Sequence, residues 1–441
     1  MTTNFITHNI PSNIFLHLPK PDSPWISSEP LAQRVQTIEE SLGFRKVVVL
    51  PTDPEWDAVG DAFNQPRRLP HCWVRRAYLI DNQGLLEAFI NGLTNINDIA
   101  SKFPPEWRNL YPNRDREIVI ERWNRLAGDR RVRVREGESL LEKIRVLPLW
   151  HGSPTAEKVD SICQIGFIAP GRHPSTLEQQ VKAGTVKDGA FFGVGSYFTD
   201  SARYAREKYG EEEVDLLLSL VSTGEPYPVI RSDYEPIKVL EMCPKKDNHF
   251  SHFIPVNPPA PTPTDGLPTC DELVVFEPRQ ILPRFVVSIG RGAPKSFAEA
   301  QTKGELADRL IYLLDPGSMD EPPNIDAATR EALRIKAGSL LLAGEGKPLS
   351  AHDRIFAQIA QKAIEGTGTL TQQQAKEGLS AIAREILPPS LPPSIEEEKR
   401  EDRFLTFFNK YQGMILTVTA VCALAIIAKG VFSTTTYERG E

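Results

Sequence analysis

A chain of 441 residues has room for two or three domains and a sizeable core. Its composition, 40% hydrophobic and 25% charged, is that of a folded protein, and a formal charge of −7 excludes the basic excess of a protein that wraps nucleic acid. The five cysteines (Cys72, Cys163, Cys243, Cys270, Cys422) are odd in number and show no C-x-x-C spacing, which excludes a disulfide framework or a cysteine zinc site and fits a reducing compartment.

Residues 1–45 read as an extended arm broken by Pro11, Pro19, Pro21 and Pro24, and the first residues lack the basic-then-apolar pattern of a secretory signal. The β-branched run Lys46-Val47-Val48-Val49-Leu50 predicts a strand, and Glu55 to Phe63 a helix. Cys72 to Ile80 predicts a second strand and Leu85 to Leu93 a second helix. Between Pro104 and Glu138 arginines accumulate. The alternation Arg131-Val132-Arg133-Val134-Arg135 reads as a surface strand with its arginines in water, or as a cationic lip for an anionic ligand. From Val146 to Gly292 short apolar strands alternate with Gly- and Pro-rich loops, the strongest being Val214 to Val221, Leu273 to Phe276 and Arg284 to Ile289. The proline-rich run Pro255 to Pro268 lacks ladder donors and predicts a surface loop leading into Glu272.

Past Gly292 the pattern changes. Ser296 with Glu299, Ser350 with Asp353 and Thr371 with Gln374 have capping-box or similar spacing. Leu306, Leu310, Leu313 and Leu314 keep to one helical face, as do Leu333, Ala337, Leu340 and Leu341, so a helical domain of about four helices is expected over 293–387. A proline-rich, then charged, linker follows over 388–410. Within 411–432 the run from Gly413 to Ala428 is free of charge and mostly apolar, close to the length that spans a bilayer, and flanking Lys410 and Lys429 can snorkel to headgroups. With a short tail at 433–441, this predicts a transmembrane tail anchor with the folded body in the cytosol.

Three stretches carry candidate chemistry: Leu149-Trp150-His151-Gly152-Ser153, Gly193-Val194-Gly195-Ser196-Tyr197-Phe198, and Asp271-Glu272-Leu273-Val274-Val275-Phe276. Gly152 lets a flat amide-bearing ligand approach the backbone, and Gly195 clears similar room before Tyr197. Tyr197, with Tyr204 or Tyr209 on a following helix, can stack on an aromatic ring, a contact worth about 1–3 kcal/mol. A carboxylate entering on a strand, Glu272, can grip ribose hydroxyls and stabilise an oxocarbenium-like centre. Singly, each has a plainer reading: a structural strand histidine, a hairpin, a solvated sheet-edge acid.

In this order, with Gly166-Phe167-Ile168-Ala169-Pro170 and Thr199-Asp200 between them, the motifs resemble the catalytic domain of poly(ADP-ribose) polymerases, in the His-Tyr-Glu branch of ADP-ribosyltransferases. The resemblance covers roughly 46–292. It implies an α+β fold of split antiparallel β-sheets with flanking helices, here followed by the small helical region and the transmembrane helix. It implies NAD+ as the substrate that donates ADP-ribose, no metal, and acceptor proteins as partners. His151 would bond the adenosine-side ribose, the Gly152 backbone the nicotinamide carboxamide, and Ser153 would stand beside it. Tyr197 would pack in the nicotinamide pocket behind Gly195, and Glu272 would hold the reacting ribose. Ala169 would lie near the adenine, with Arg172 and His173 as phosphate or adenine neighbours.

Three departures stand out. Where the family often has a carboxamide-binding serine, Ala205 is found, with Ser201 earlier; the stretch from Pro174 to Asp188 is long; and a proline-rich insertion replaces the usual acceptor-side loop. The expectation is protein ADP-ribosylation near a membrane, with mono-ADP-ribosylation favoured and polymer permitted. The alternatives are a catalytically silent NAD+ or ADP-ribose-binding adaptor and an NAD+ glycohydrolase.

Overall fold

The computed structural model describes residues 44–64, 71–102, 113–128, 130–131, 141, 143–168, 191–209, 215–233, 249–256, 270–315 and 325–365. The expected arm, the linker, the apolar segment 411–432, most of the arginine alternation and the proline-rich run, and Thr371 with Gln374 lie outside them; Pro255 and Val256, expected to open a loop, instead end a strand opposite Asp271 and Cys270. The chain forms two compact units, the first drawn mainly from Arg76–Ile289 and the second mainly from Gly290 onward, with Leu50–Thr52 and His71–Arg75 belonging to the second.

The first unit is built on β1 (Arg45–Val48), α1 (Pro54–Asn64), the greater part of β2 (Cys72–Asp81), α2 (Gln83–Lys102), α3 (Arg114–Ala127), β3 (Arg145–His151) and α4 (Ala156–Ile165). It continues with β4 (Ser196–Thr199), α5 (Ala202–Tyr209), β5 (Leu216–Thr223), β6 (Tyr227–Pro228), β7 (Ser251–Val256), β8 (Cys270–Val275) and β9 (Ile281–Arg291). The strands make one nine-stranded sheet in the order β1-β2-β9-β5-β3-β4-β8-β7-β6. The split into two sheets that the resemblance implies survives as a seam. β3 pairs with β5 along seven positions and β4 with β8 along four, whereas β3 meets β4 only at Trp150↔Thr199. The expectation of antiparallel pairing fails at one edge, where β6 runs parallel to β7.

Central β5 is buried at every position, which explains its unbroken apolar sequence. Pleating sorts its neighbours between two faces. On one, Leu147, Leu149, Leu217, Val221 and Val286 pack with Val119, Ile120, Trp123 and Ala127 of α3 and Val159 and Cys163 of α4. On the other, Val146, Leu220 and Leu282 pack with Phe89, Ile90, Leu93, Ile96 and Ala100 of α2. A third cluster at the far edge joins Tyr227, Val229, Ile254 and Val274.

The elements expected at 46–50, 55–63, 72–80, 214–221, 273–276 and 284–289 are present with shifted ends, while the helix expected over 85–93 runs from Gln83 to Lys102. Helices α3 and α4 stand where no element was expected. The arginine-rich stretch conceals a helix because Arg114, Asp115, Glu117, Glu121 and Arg125 are the solvent side of an amphipathic turn pattern. Asn113 caps it by accepting from the Asp115 amide at 2.7 Å. Its Arg116 is buried and bidentate to Asp233, both bonds 2.7 Å, with its guanidinium 4.9 Å over the Tyr227 ring.

In the second unit the described helices are α6 (Lys303–Leu314), α7 (Ala327–Leu342) and α8 (Ala351–Ala360), continued by a π-helical turn at Gln361–Glu365. Ser350 and Asp353 form the expected capping box, but the first helix is boxed by Thr302 and Glu305, while Ser296 and Glu299 close a turn before it. Trp73 meets Tyr312 edge-on at 5.8 Å, and a Cβ on Gly290 would fall 2.3 Å from its indole, so only glycine fits there.

Candidate active site

The seam is where the three motif strands come together. β3, β4 and β8 are consecutive neighbours, and each delivers one of His151, Tyr197 and Glu272. The register sets which side each residue takes. Trp150, Thr199, Glu272 and Ile254 form one row across β3, β4, β8 and β7, and Tyr197, Val274 and His252 form the row beside it. Residues directly opposite share a face, so Tyr197 and Glu272 lie on one side of the sheet. His151, one step past Trp150, projects to the other side, where its ring stands 4.9 Å from Phe167 and 5.5 Å from Phe198. The three are adjacent in the sheet but do not share a face.

His151 nevertheless reaches across the seam. The β3–β4 ladder stops at Trp150↔Thr199, and the imidazole Nδ1 donates to the Tyr197 carbonyl at 2.8 Å in place of a backbone donor. A carbonyl only accepts, so the proton is on Nδ1 and Nε2 carries the lone pair. Burial lowers the His151 pKa, opposed by the Tyr197 carbonyl, which keeps the ring neutral. Such a ring can accept a hydrogen bond from a sugar hydroxyl. Gly152 and Ser153 follow immediately and are both buried.

Tyr197 contributes its ring as a wall and its hydroxyl as a clamp. The hydroxyl accepts from the Phe192 amide and donates to the Gly193 carbonyl, both at 2.9 Å, while His252 Nδ1 bonds the Phe192 carbonyl at 2.8 Å. The segment ahead of β4 is thereby gripped from two strands. Gly195 lies close against β8: a Cβ there would meet Val274 Cγ1 and the Val275 carbonyl oxygen, each at 2.6 Å. The glycine is required by this approach rather than by its dihedrals. Glu272 is 1% exposed, between Thr199 and Ile254.

On α5, Tyr204 is buried and Ala205 is fully buried, so no side-chain hydroxyl is offered at position 205. Ser201 caps the helix by accepting from the Tyr204 amide at 3.2 Å. Tyr209 is the last residue of α5, and Ala169, Arg172 and His173 lie outside the described residues.

Residues 130–290 match the poly(ADP-ribose) polymerase catalytic domain. The matched segment holds β3 to β9 and with them all three motif strands. It begins after α3, so β1, α1, β2, α2 and α3, which the sequence resemblance had partly included, lie outside it although β1 and β2 complete the same sheet. No curated protein matches the chain. The mixed α+β architecture, a large sheet with several helices, fits a poly(ADP-ribose) polymerase catalytic fold, and the match supports an NAD+-dependent ADP-ribosyltransferase. Among the described residues no group of three His, Cys, Asp or Glu side chains could hold a metal ion. Among the same residues no helix is long and apolar enough to cross a membrane.

Sequence reasoning passed over the residues that flank the acid. Asp200 follows β4 and Asp271 precedes Glu272; their side chains and Arg122 of α3 form a charged cluster at the end of the β4–β8 pair, with Asp271 buried and the other two partly so. Both aspartates stand inside quoted motifs, but only the register places them side by side.

Proposed function

We propose that the chain transfers ADP-ribose from NAD+ to protein side chains, with release of nicotinamide and with mono-ADP-ribosylation the expected product. The observation that carries this reading is the coincidence of the 130–290 match with the seam, where the three motif strands are neighbours and pairing is interrupted. NAD+ would lie along that interruption. His151 Nε2 would accept from the adenosine-side ribose, and the Gly152 backbone with Ser153 would meet the carboxamide. The Tyr197 ring, with Tyr204 or Tyr209, would flank the nicotinamide. Glu272 would hold the reacting ribose and stabilise the positive charge that develops as the glycosidic bond lengthens. Ala169, Arg172 and His173 would serve the adenine and phosphates. Residues 411–432 would tether this body to a membrane, leaving it in the cytosol to modify proteins nearby.

The test is full-length protein in mild detergent with labelled NAD+ and a lysate, followed by mass spectrometry for acceptor and chain length. Glu272→Gln should lower transfer about 10²–10³-fold. Undiminished label in that variant refutes the role of Glu272. Buried Ala205 favours as the second reading a silent nucleotide binder, which would bind NAD+ without releasing nicotinamide. Nicotinamide release without protein label would instead identify a glycohydrolase. Flotation with liposomes, lost on truncation after residue 410, checks the tether.

A further inference from the structure

The β4–β8 ladder does not end at its last pair, Thr199↔Glu272. One step further, the Asp271 amide donates to Asp200 Oδ1 at 2.8 Å, and the Asp200 amide donates to the Asp271 carbonyl at 3.3 Å. Arg122 Nε, from α3, donates to Asp271 Oδ1, and both partners of this ion pair are mostly buried. Asp271 is therefore held by its amide, its carbonyl and its carboxylate. Strand alternation sends the next side chain, Glu272, to the opposite face, so a small rotation about the 271–272 peptide swings that carboxylate directly.

We propose that Asp200, acting through Asp271 and Arg122, is a positioning residue for Glu272. It fixes the backbone from which the acid projects and so sets the aim of the carboxylate at the reacting ribose. A misplacement of about 1 Å at such a group is worth on the order of 10² in rate, enough to make the anchoring matter. The inference rests on the role given to Glu272 under Proposed function.

The anchor also contains a proton. Burial and the neighbouring Asp271 charge push Asp200 up to about 7, and burial raises Asp271 as well, against the pull of Arg122 and Arg125. Glu272 and Cys270 are the other ionisable groups on β8 at this point; on α5, Arg203 and Glu207 are paired with each other. Near pH 6 Asp200 is mostly protonated and the two carboxyls do not repel. Near pH 8.5 Asp200 is mostly ionised, and its charge then stands beside the Asp271 carboxyl.

The experiment uses full-length protein in detergent, comparing wild type with Asp200→Ala and Asp200→Asn. Asparagine keeps the Oδ1 acceptor and cannot ionise. Two measurements are made: steady-state NAD+ turnover from pH 5.5 to 8.5, and hydrogen–deuterium exchange of the peptide spanning 270–276. In Asp200→Ala, kcat should fall 10-fold or more with KM within threefold, and exchange should rise in 270–276 but not in β5. Asp200→Asn should restore both, and should flatten the three- to tenfold fall of kcat above pH 7 that the Asp200 carboxyl predicts for wild type. Asp200→Ala with unchanged kcat and exchange, or with exchange raised evenly across the sheet, overturns the inference. So does an asparagine variant that fails to rescue. Absence of turnover in wild type refutes the reading of Glu272 as an NAD+-acting acid, and the exchange measurement then still decides whether Asp200 holds β8.

Discussion

Replacing Gly195 by alanine tests the packing of the site with one methyl group. The added Cβ would stand 2.6 Å from Val274 Cγ1 and 2.6 Å from the Val275 carbonyl oxygen. The first can rotate away. The second is backbone of a buried strand and cannot, so β4 and β8 must part or the 191–195 segment must shift. Overpacking of this kind costs about 1–3 kcal/mol. In a unit of this size 1 kcal/mol moves the melting temperature by roughly 2–4 °C, which predicts a fall of about 4–8 °C for the middle of that range. Gly60 provides the internal control, because it sits inside helix α1 and a Cβ added there would meet nothing within 4 Å. Gly60→Ala should stabilise by about 0.5–1 kcal/mol through helix propensity alone. Thermal melts and urea titrations of both variants decide the matter. If Gly195→Ala melts within 1 °C of wild type, or if the two substitutions shift stability in the same direction, the close approach of β4 to β8 is wrong.

Tyr197→Phe should cost about 1–3 kcal/mol, because it strands the Phe192 amide and the Gly193 carbonyl while keeping the ring; transfer should fall less than in Glu272→Gln, as NAD+ turnover would show. Asp233→Ala leaves the Arg116 guanidinium buried without its bidentate partner and should cost about 3–5 kcal/mol by urea denaturation, whereas Glu207→Ala, which breaks the exposed pair with Arg203, should stay within about 0.5 kcal/mol. The raised pKa of Asp200 has a definite sign. The protonated form is favoured in the fold, so its penalty is absent below about 3.8 and complete above about 7. Fully expressed, that interval corresponds to about 4 kcal/mol, so Asp200→Asn should gain on wild type by on the order of 2 kcal/mol at pH 8 and by roughly two fifths of that gain at pH 5, read from melts at the two pH values.

The sequence disclosed elements whose chemistry is local. β5 is legible because a strand buried on both faces must be apolar throughout, and the Ser350 capping box because its residues are three apart. α3 was hidden because its polar face dominates a run in which only Val119, Ile120, Trp123 and Ala127 mark the buried side. The two-residue edge strand β6 and its neighbour β7 were hidden because their pairing depends on distant partners rather than on their own composition. The same division runs through the site. His151, Tyr197 and Glu272 stand out as polar residues in strand contexts, and they arrive on neighbouring strands. Their distribution between two faces depends on the single pair Trp150↔Thr199, and no local pattern encodes it. Asp200 and Asp271 are 71 positions apart and become partners only through register.

The place of β9 bears on how the protein is made. This strand inserts between β2 and β5, so a strand that ends at Arg291 separates two that leave the ribosome earlier. A nascent chain shorter than that holds β2 and β5 with their pairing groups on that side unmet, a state prone to wrong partners. Closure of the sheet is consequently a late event with a large share of distant contacts, and it should be slow compared with formation of the helices. A stop codon before Ile281 would therefore leave the sheet open in its interior, because β9, the last strand among the described residues, lies between two earlier ones.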